Sequence, residues 1–186
     1  MKASILTSFL LALSSSLTDA NQVKRVNRVA GDASIRRDRQ FQNYGSNRQL
    51  TVTTHDAKSA RVAVLKFNNI ERTSYDTQAL LRLFISEVDD NHVHRTVKIR
   101  KINEGFEEDE VSWANFNFHE ENHNWIEFNI QSEHLGKVGQ VDVSSLLEEG
   151  DTDLTLVIHM SDKGYVKFAS REHETESTHP KLLLLE

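Results

Sequence analysis

At 186 residues, with a formal net charge of −6 and no cysteine, the chain is long enough for one domain with a sizeable core. It has no disulfide framework, thiolate metal site or thiol nucleophile. Its acidic balance, 28 Asp and Glu against 22 Lys and Arg, argues against a general nucleic-acid binder.

The chain opens with the layout of a secretory signal peptide. Met1-Lys2 is a positive start, Ile5–Leu13 a short apolar run, and Thr18-Asp19-Ala20 places small residues before a cleavage point after Ala20. The run is too short to span a bilayer and no second one follows, so a secreted, extracellular protein without membrane insertion is expected. Asn21 to Ala30, with Lys24, Arg25 and Arg28, lacks periodicity and reads as a flexible basic leader. The domain is expected to occupy residues 31–186.

Gly31–Ile35 predicts a first short strand, Asn43–Asn47 a turn rich in residues that accept positive φ, and Leu50–Thr54 a second strand. Arg61–Phe67 alternates with Ala63, Leu65 and Phe67 on one face. In Leu80–Ile85, Leu81, Leu83 and Ile85 point one way, and Arg82 and Phe84 the other. Val97 and Ile99 alternate with Lys98 and Arg100. Val111–Phe118 alternates weakly; Trp125–Ile130 does so clearly, with Ile126, Phe128 and Ile130 on one face. Val141–Val143, Asp153–Met160 and Tyr165–Ser170 follow. Pro180, the single proline, stands at the entry to a closing strand over Leu182–Leu185, where a missing N–H is tolerated. About ten short strands without a long helix-period segment predict an all-β fold, an antiparallel β-sandwich of jelly-roll type.

Several polar clusters invite chemistry. His119-Glu-Glu-Asn-His123 matches the zinc-protease pattern H-E-x-x-H, but that chemistry needs a helix to bring both imidazoles to one face, and here strand patterns flank a polar loop. Asp89–His94 offers oxygen and imidazole ligands, yet reads as hydrated loop residues. Glu107–Glu110 reads as a solvated acidic turn, since a glycosidase places its two carboxylates across a bond. Arg171-Glu172, where a strand ends, reads as a structural ion pair. No cofactor is expected; for a structural calcium, Asp32 offers a carboxylate where the chain termini meet. If the alternating strands share one sheet, Arg82, Lys98, Arg100, Trp125, Tyr165 and Lys167 form a basic, partly aromatic outer face. Such a face suits an anionic polymer, because Arg and Lys pair with carboxylates and rings offer apolar surfaces. An ordinary solvated sheet face is the plainer reading of any one of these residues.

Phe168-Ala-Ser-Arg-Glu172, followed by a polar loop and Pro180-Lys-Leu182, resembles the C-terminal signature of the DNRLRE domains, grouped as carbohydrate-binding module family 96. Asp32–Ile35, Asn43-Tyr44-Gly45, Leu50-x-Val52, Val64–Phe67, Leu81–Phe84, Phe106–Trp113 and Val141–Val143 are similar to further segments of the family in the same order. Phe106 stands where the family usually has Trp, and the His- and Asn-rich stretch from Phe118 to Trp125 resembles an insertion. The resemblance implies a secreted, non-catalytic β-jelly-roll that binds a polysaccharide, with acidic, alginate-type or cell-wall glycans as the expected class. Its matching residues look structural and carry over no binding site. Two other functions stand beside it. A jelly-roll polysaccharide lyase would need a base such as His159 or Tyr165 near a charge-neutralising group. A structural matrix or cell-surface protein would have proteins as partners.

Overall fold

The computed structural model describes residues 23–54, 58–70, 78–89, 94–117 and 124–185, apart from the side chain of His94. The signal-peptide segment, the H-E-x-x-H stretch and most of the Asp89–His94 loop lie outside the described residues. The described strands are β1 (Val23–Arg28), β2 (Gly31–Arg36), β3 (Gln49–Thr53), β4 (Arg61–Asn68), β5 (Gln78–Val88), β6 (His94–Ile102), β7 (Ile126–Gln131), β8 (Val138–Asp142), β9 (Asp153–Met160), β10 (Tyr165–Ala169) and β11 (Lys181–Leu185). No α-helix occurs among the described residues, only single 3₁₀ turns, and none of these can cross a membrane.

The strands form two sheets. One runs β1-β11-β5-β10-β3, with β8 on the other edge of β5; the second runs β2-β4-β9-β6-β7. All strand pairs within them are antiparallel. Their inner faces pack together as the sandwich that the alternation predicts. Leu81, Leu83, Ile85, Val166 and Phe168 from the first sheet meet Leu65, Phe67, Val97, Ile99, Leu156 and Ile158 from the second in one buried cluster. Removing this much apolar surface from water is the main stabilising term.

Two expectations are corrected. The segment read as a flexible leader forms β1 over Val23–Arg28, paired with β11 from Val23 opposite Leu185 to Arg28 opposite Lys181. It lacks a hydrophobic period because it is an edge strand, with only Val26 and Val23 as large apolar residues and both about half exposed. The weak alternation over Val111–Phe118 is not a strand in its described part. Residues 103–117 form turns laid over the outer face of the five-stranded sheet. There Phe106, Val111 and Phe116 build a second buried cluster with Ala33, Ile35, Val62, Val64 and Val157. The rings of Phe106 and Phe116 meet edge to face at 6.0 Å. The segment satisfies its own backbone locally: Val111 N–H donates to Glu107 O and Phe116 N–H to Ser112 O. The Asn115 side-chain Oδ1 also accepts from Ser112 N–H, at 2.7 Å.

Candidate functional site

The six residues singled out as one face belong to two sheets, whose outer faces look in opposite directions. Arg82, Tyr165 and Lys167 are on the six-stranded sheet, while Lys98 and Arg100 belong to the five-stranded one, with Trp125 immediately before its strand β7. Strand period correctly separates outward from inward residues, but pairing across the whole chain decides which sheet each strand joins.

On the five-stranded sheet, Lys98 bridges Glu127 on the neighbouring strand at 3.2 Å. The Arg100 guanidinium lies 4.9 Å from the Trp125 ring centroid, and His159 meets the same ring at 4.6 Å. Arg100 and His159 are both buried. This is a packed cation–aromatic cluster, so Arg100 is no exposed anion-binding group.

On the six-stranded sheet, Lys167 stands directly between Thr51 on β3 and Glu87 on β5. Glu87 holds both predicted residues of β10. Lys167 Nζ donates to Oε2 and the Tyr165 hydroxyl to Oε1, each at 2.7 Å. These donors, with Lys167 the stronger, keep the Glu87 carboxyl below its ordinary value. Arg82 lies farther along β5, half-buried between Lys181 on β11 and Gln140 on β8.

Beside Lys167 an open cleft of about 460 Å³ runs over β3 and β10. Arg48, Gln49, Thr51, Arg61, His173 and Glu174 line it with Lys167 and Asn47. Arg61 begins β4 in the opposite sheet but reaches the cleft because its N–H donates to Thr53 Oγ1 at the end of β3, at 2.9 Å. Burial, then the neighbouring Arg36, lowers the Arg61 guanidinium from its ordinary value, although an arginine stays charged in any working pH range. Arg48 pairs with Glu174 in a solvent-exposed contact, which holds it only weakly. The cleft therefore presents three cations, one carboxylate (Glu174) and several hydrogen-bonding side chains on an acidic protein. Of the six predicted residues only Lys167 lines it. Arg48 and Arg61 were missed because each sits at a turn-to-strand junction, where alternation says nothing about direction.

A second polar centre forms where Asp32 on β2, Glu108 and the Ser170–Glu172 turn meet. Asp32 N–H donates to Glu108 Oε1 at 2.7 Å, and Arg171 N–H donates to Asp32 Oδ2 at 2.8 Å. Ser170, wholly buried, fixes the turn: its hydroxyl donates to Asn47 O at 2.6 Å and accepts from Glu172 N–H at 3.1 Å. Arg171 and Glu172 pair at 2.9 Å, the structural ion pair that the sequence suggests. The Asn43 amide donates to Glu108 O and Val111 O at 2.7 and 2.9 Å. Gly45 lies so close that a Cβ there would come within 2.2 Å of Glu108 O. Glu108 is thereby turned inward, unlike the solvated acidic turn expected of its run. Burial, above all, pushes the Asp32 carboxyl up to about 8, and the charges of Glu172 and Glu108 add to it. Burial, then the Glu108 charge, also raises Glu172.

Asp32, Asn43-Tyr44-Gly45, the Phe106–Trp113 segment and Phe168–Glu172 thus meet in space, although they are scattered along the chain. The model of carbohydrate-binding module family 96 matches residues 25–186. The chain belongs to carbohydrate-binding module family 96. The match begins inside β1 and ends beyond β11, so it takes in both sheets of the module. No curated protein matches the module.

Proposed function

We propose that this module binds an acidic polysaccharide without cleaving it, and that the polymer lies in the cleft over β3 and β10. The observation that carries this reading is the convergence of Arg48, Arg61 and Lys167 on one open groove of a protein with net charge −6. Carboxylates spaced along a uronate chain would pair with the guanidinium groups, and Gln49 and Thr51 would hydrogen-bond sugar hydroxyls. The family supports a carbohydrate partner, and the N-terminal leader pattern supports placement outside the cell. The lyase alternative loses support from the placement of its base candidates. His159 is buried against Trp125 on one sheet, while the Tyr165 hydroxyl is held by Glu87 on the other.

The test is affinity electrophoresis and calorimetry of the purified protein against alginate and a neutral glucan. Retention should be selective for alginate and weaken with salt. Arg61→Ala should cost about tenfold in affinity, the scale of one charge-assisted hydrogen bond. Equal retention of the Arg61→Ala variant would remove the cleft from the reading. New absorbance from unsaturated chain ends on incubation with alginate would replace binding by lyase chemistry.

A further inference from the structure

The carboxylates of Asp32, Glu108 and Glu172 come from three separate segments, and one oxygen of each lies within 4.8 Å of the others. Most neighbouring polar atoms are already committed. Asp32 Oδ2 accepts from Arg171 N–H and Glu108 Oε1 from Asp32 N–H. The Arg171 guanidinium is shared among Glu172 Oε1 at 2.9 Å, Glu108 Oε2 at 3.4 Å and the Ala30 carbonyl. Two oxygens remain. Asp32 Oδ1 and Glu172 Oε2 are buried with no hydrogen-bond partner, and Asp32 as a whole has no exposed surface. An unpartnered buried carboxylate oxygen is costly, and here two of them stand beside a third acid.

We infer that Asp32, Glu108 and Glu172 form a binding site for a calcium ion that clamps β2, the segment over the five-stranded sheet and the turn after β10. The donors are all oxygen, which selects hard cations over zinc or copper. Calcium–oxygen distances of about 2.3–2.6 Å place ligands on opposite sides of one ion up to about 5 Å apart. One calcium can therefore touch all three groups at the observed spacing. Magnesium, at about 2.1 Å in a strict octahedron, usually keeps several of its waters and so suits a cage of three protein carboxylates less well. With all three carboxylates ionised, as calcium binding requires, they exceed the one guanidinium by two negative charges, which a divalent ion balances. Glu108 and Arg171 also line an open cleft of about 410 Å³, a route for the ion and for water to complete its coordination.

The test uses the whole protein, stripped with chelator and dialysed into metal-free buffer. Thermal unfolding is then followed with added calcium chloride or magnesium chloride, and calcium binding is measured by calorimetry. Calcium in about 100-fold excess over its dissociation constant should raise Tm by about 5 °C or more, with one ion bound per chain and a smaller shift from magnesium. Asp32→Asn keeps the side-chain shape and should abolish the shift; Glu172→Gln is the second variant should the first fail to fold. An unchanged wild-type Tm in millimolar calcium would overturn the site and leave the cluster satisfied by a proton on one carboxyl. A wild-type-sized response in Asp32→Asn or Glu172→Gln would also overturn it, by placing the ion elsewhere. Neither result bears on alginate retention in the β3–β10 cleft, so the two readings fail independently.

Discussion

Lys167 lines the cleft, but Glu87 already holds its charge. Glu87→Gln should release Lys167 and strengthen alginate binding about two- to fivefold, the scale of one partly exposed ion pair. Calorimetry checks this. The same carboxylate also makes a prediction for acid stability. Its folded pKa is depressed, so its contribution is fully present above the ordinary value of 4.5 and is lost as pH falls through the folded value. The Glu87→Gln variant should lack this part of the fall in Tm on acidification below about pH 4.5. Gly45 gives a steric prediction. A methyl at position 45 would collide with the backbone of Glu108, and that backbone is pinned by Asn43. Gly45→Ala should cost about 1–3 kcal/mol in chemical unfolding, the scale of an overpacked contact. Alternation showed that Lys167 points outward. It could not show Glu87 waiting for it, because that contact crosses 80 positions of chain.

At the scale of elements, edge and cover segments are the ones that strand patterning read least well. β1 is six residues long with Lys24, Arg25 and Arg28 in it, and its stability comes from the ladder to β11 rather than from an apolar face. Charged edge strands of this kind also guard against edge-to-edge association. A chain beginning at Val29 would expose the Leu182–Leu185 edge. It should unfold at lower temperature and self-associate in sedimentation, whereas a dispensable leader would leave both unchanged. The turns over residues 103–117 were misread for a related reason. Phe106, Val111 and Phe116 all pack inward onto Ile35, Val64 and Val157, so their spacing follows a folded-back loop rather than the period of a strand. β5 was legible because core on one face and a partly exposed other face impose alternation, whereas β4 and β9, covered on both faces, are buried along nearly their whole length.

For the whole molecule, the period of the side chains determined the all-β class and the inward set Leu81, Leu83, Ile85, Val97, Ile99 and Phe168, each wholly or almost wholly buried. Those choices follow from local geometry, since successive residues of a strand face opposite ways whatever their partners. The ordered segments from Asp32 to Leu182 also sufficed for the family resemblance. Only tertiary structure decided that Lys98 and Arg100 lie on a different sheet from Arg82, Tyr165 and Lys167. It alone brought Arg61 to the β3–β10 cleft, and Asp32 to Glu108 and Arg171 across 76 and 139 positions. The physical reason is that such meetings depend on which strands pair and which loops fold back, and these are settled by the joint burial of the entire core.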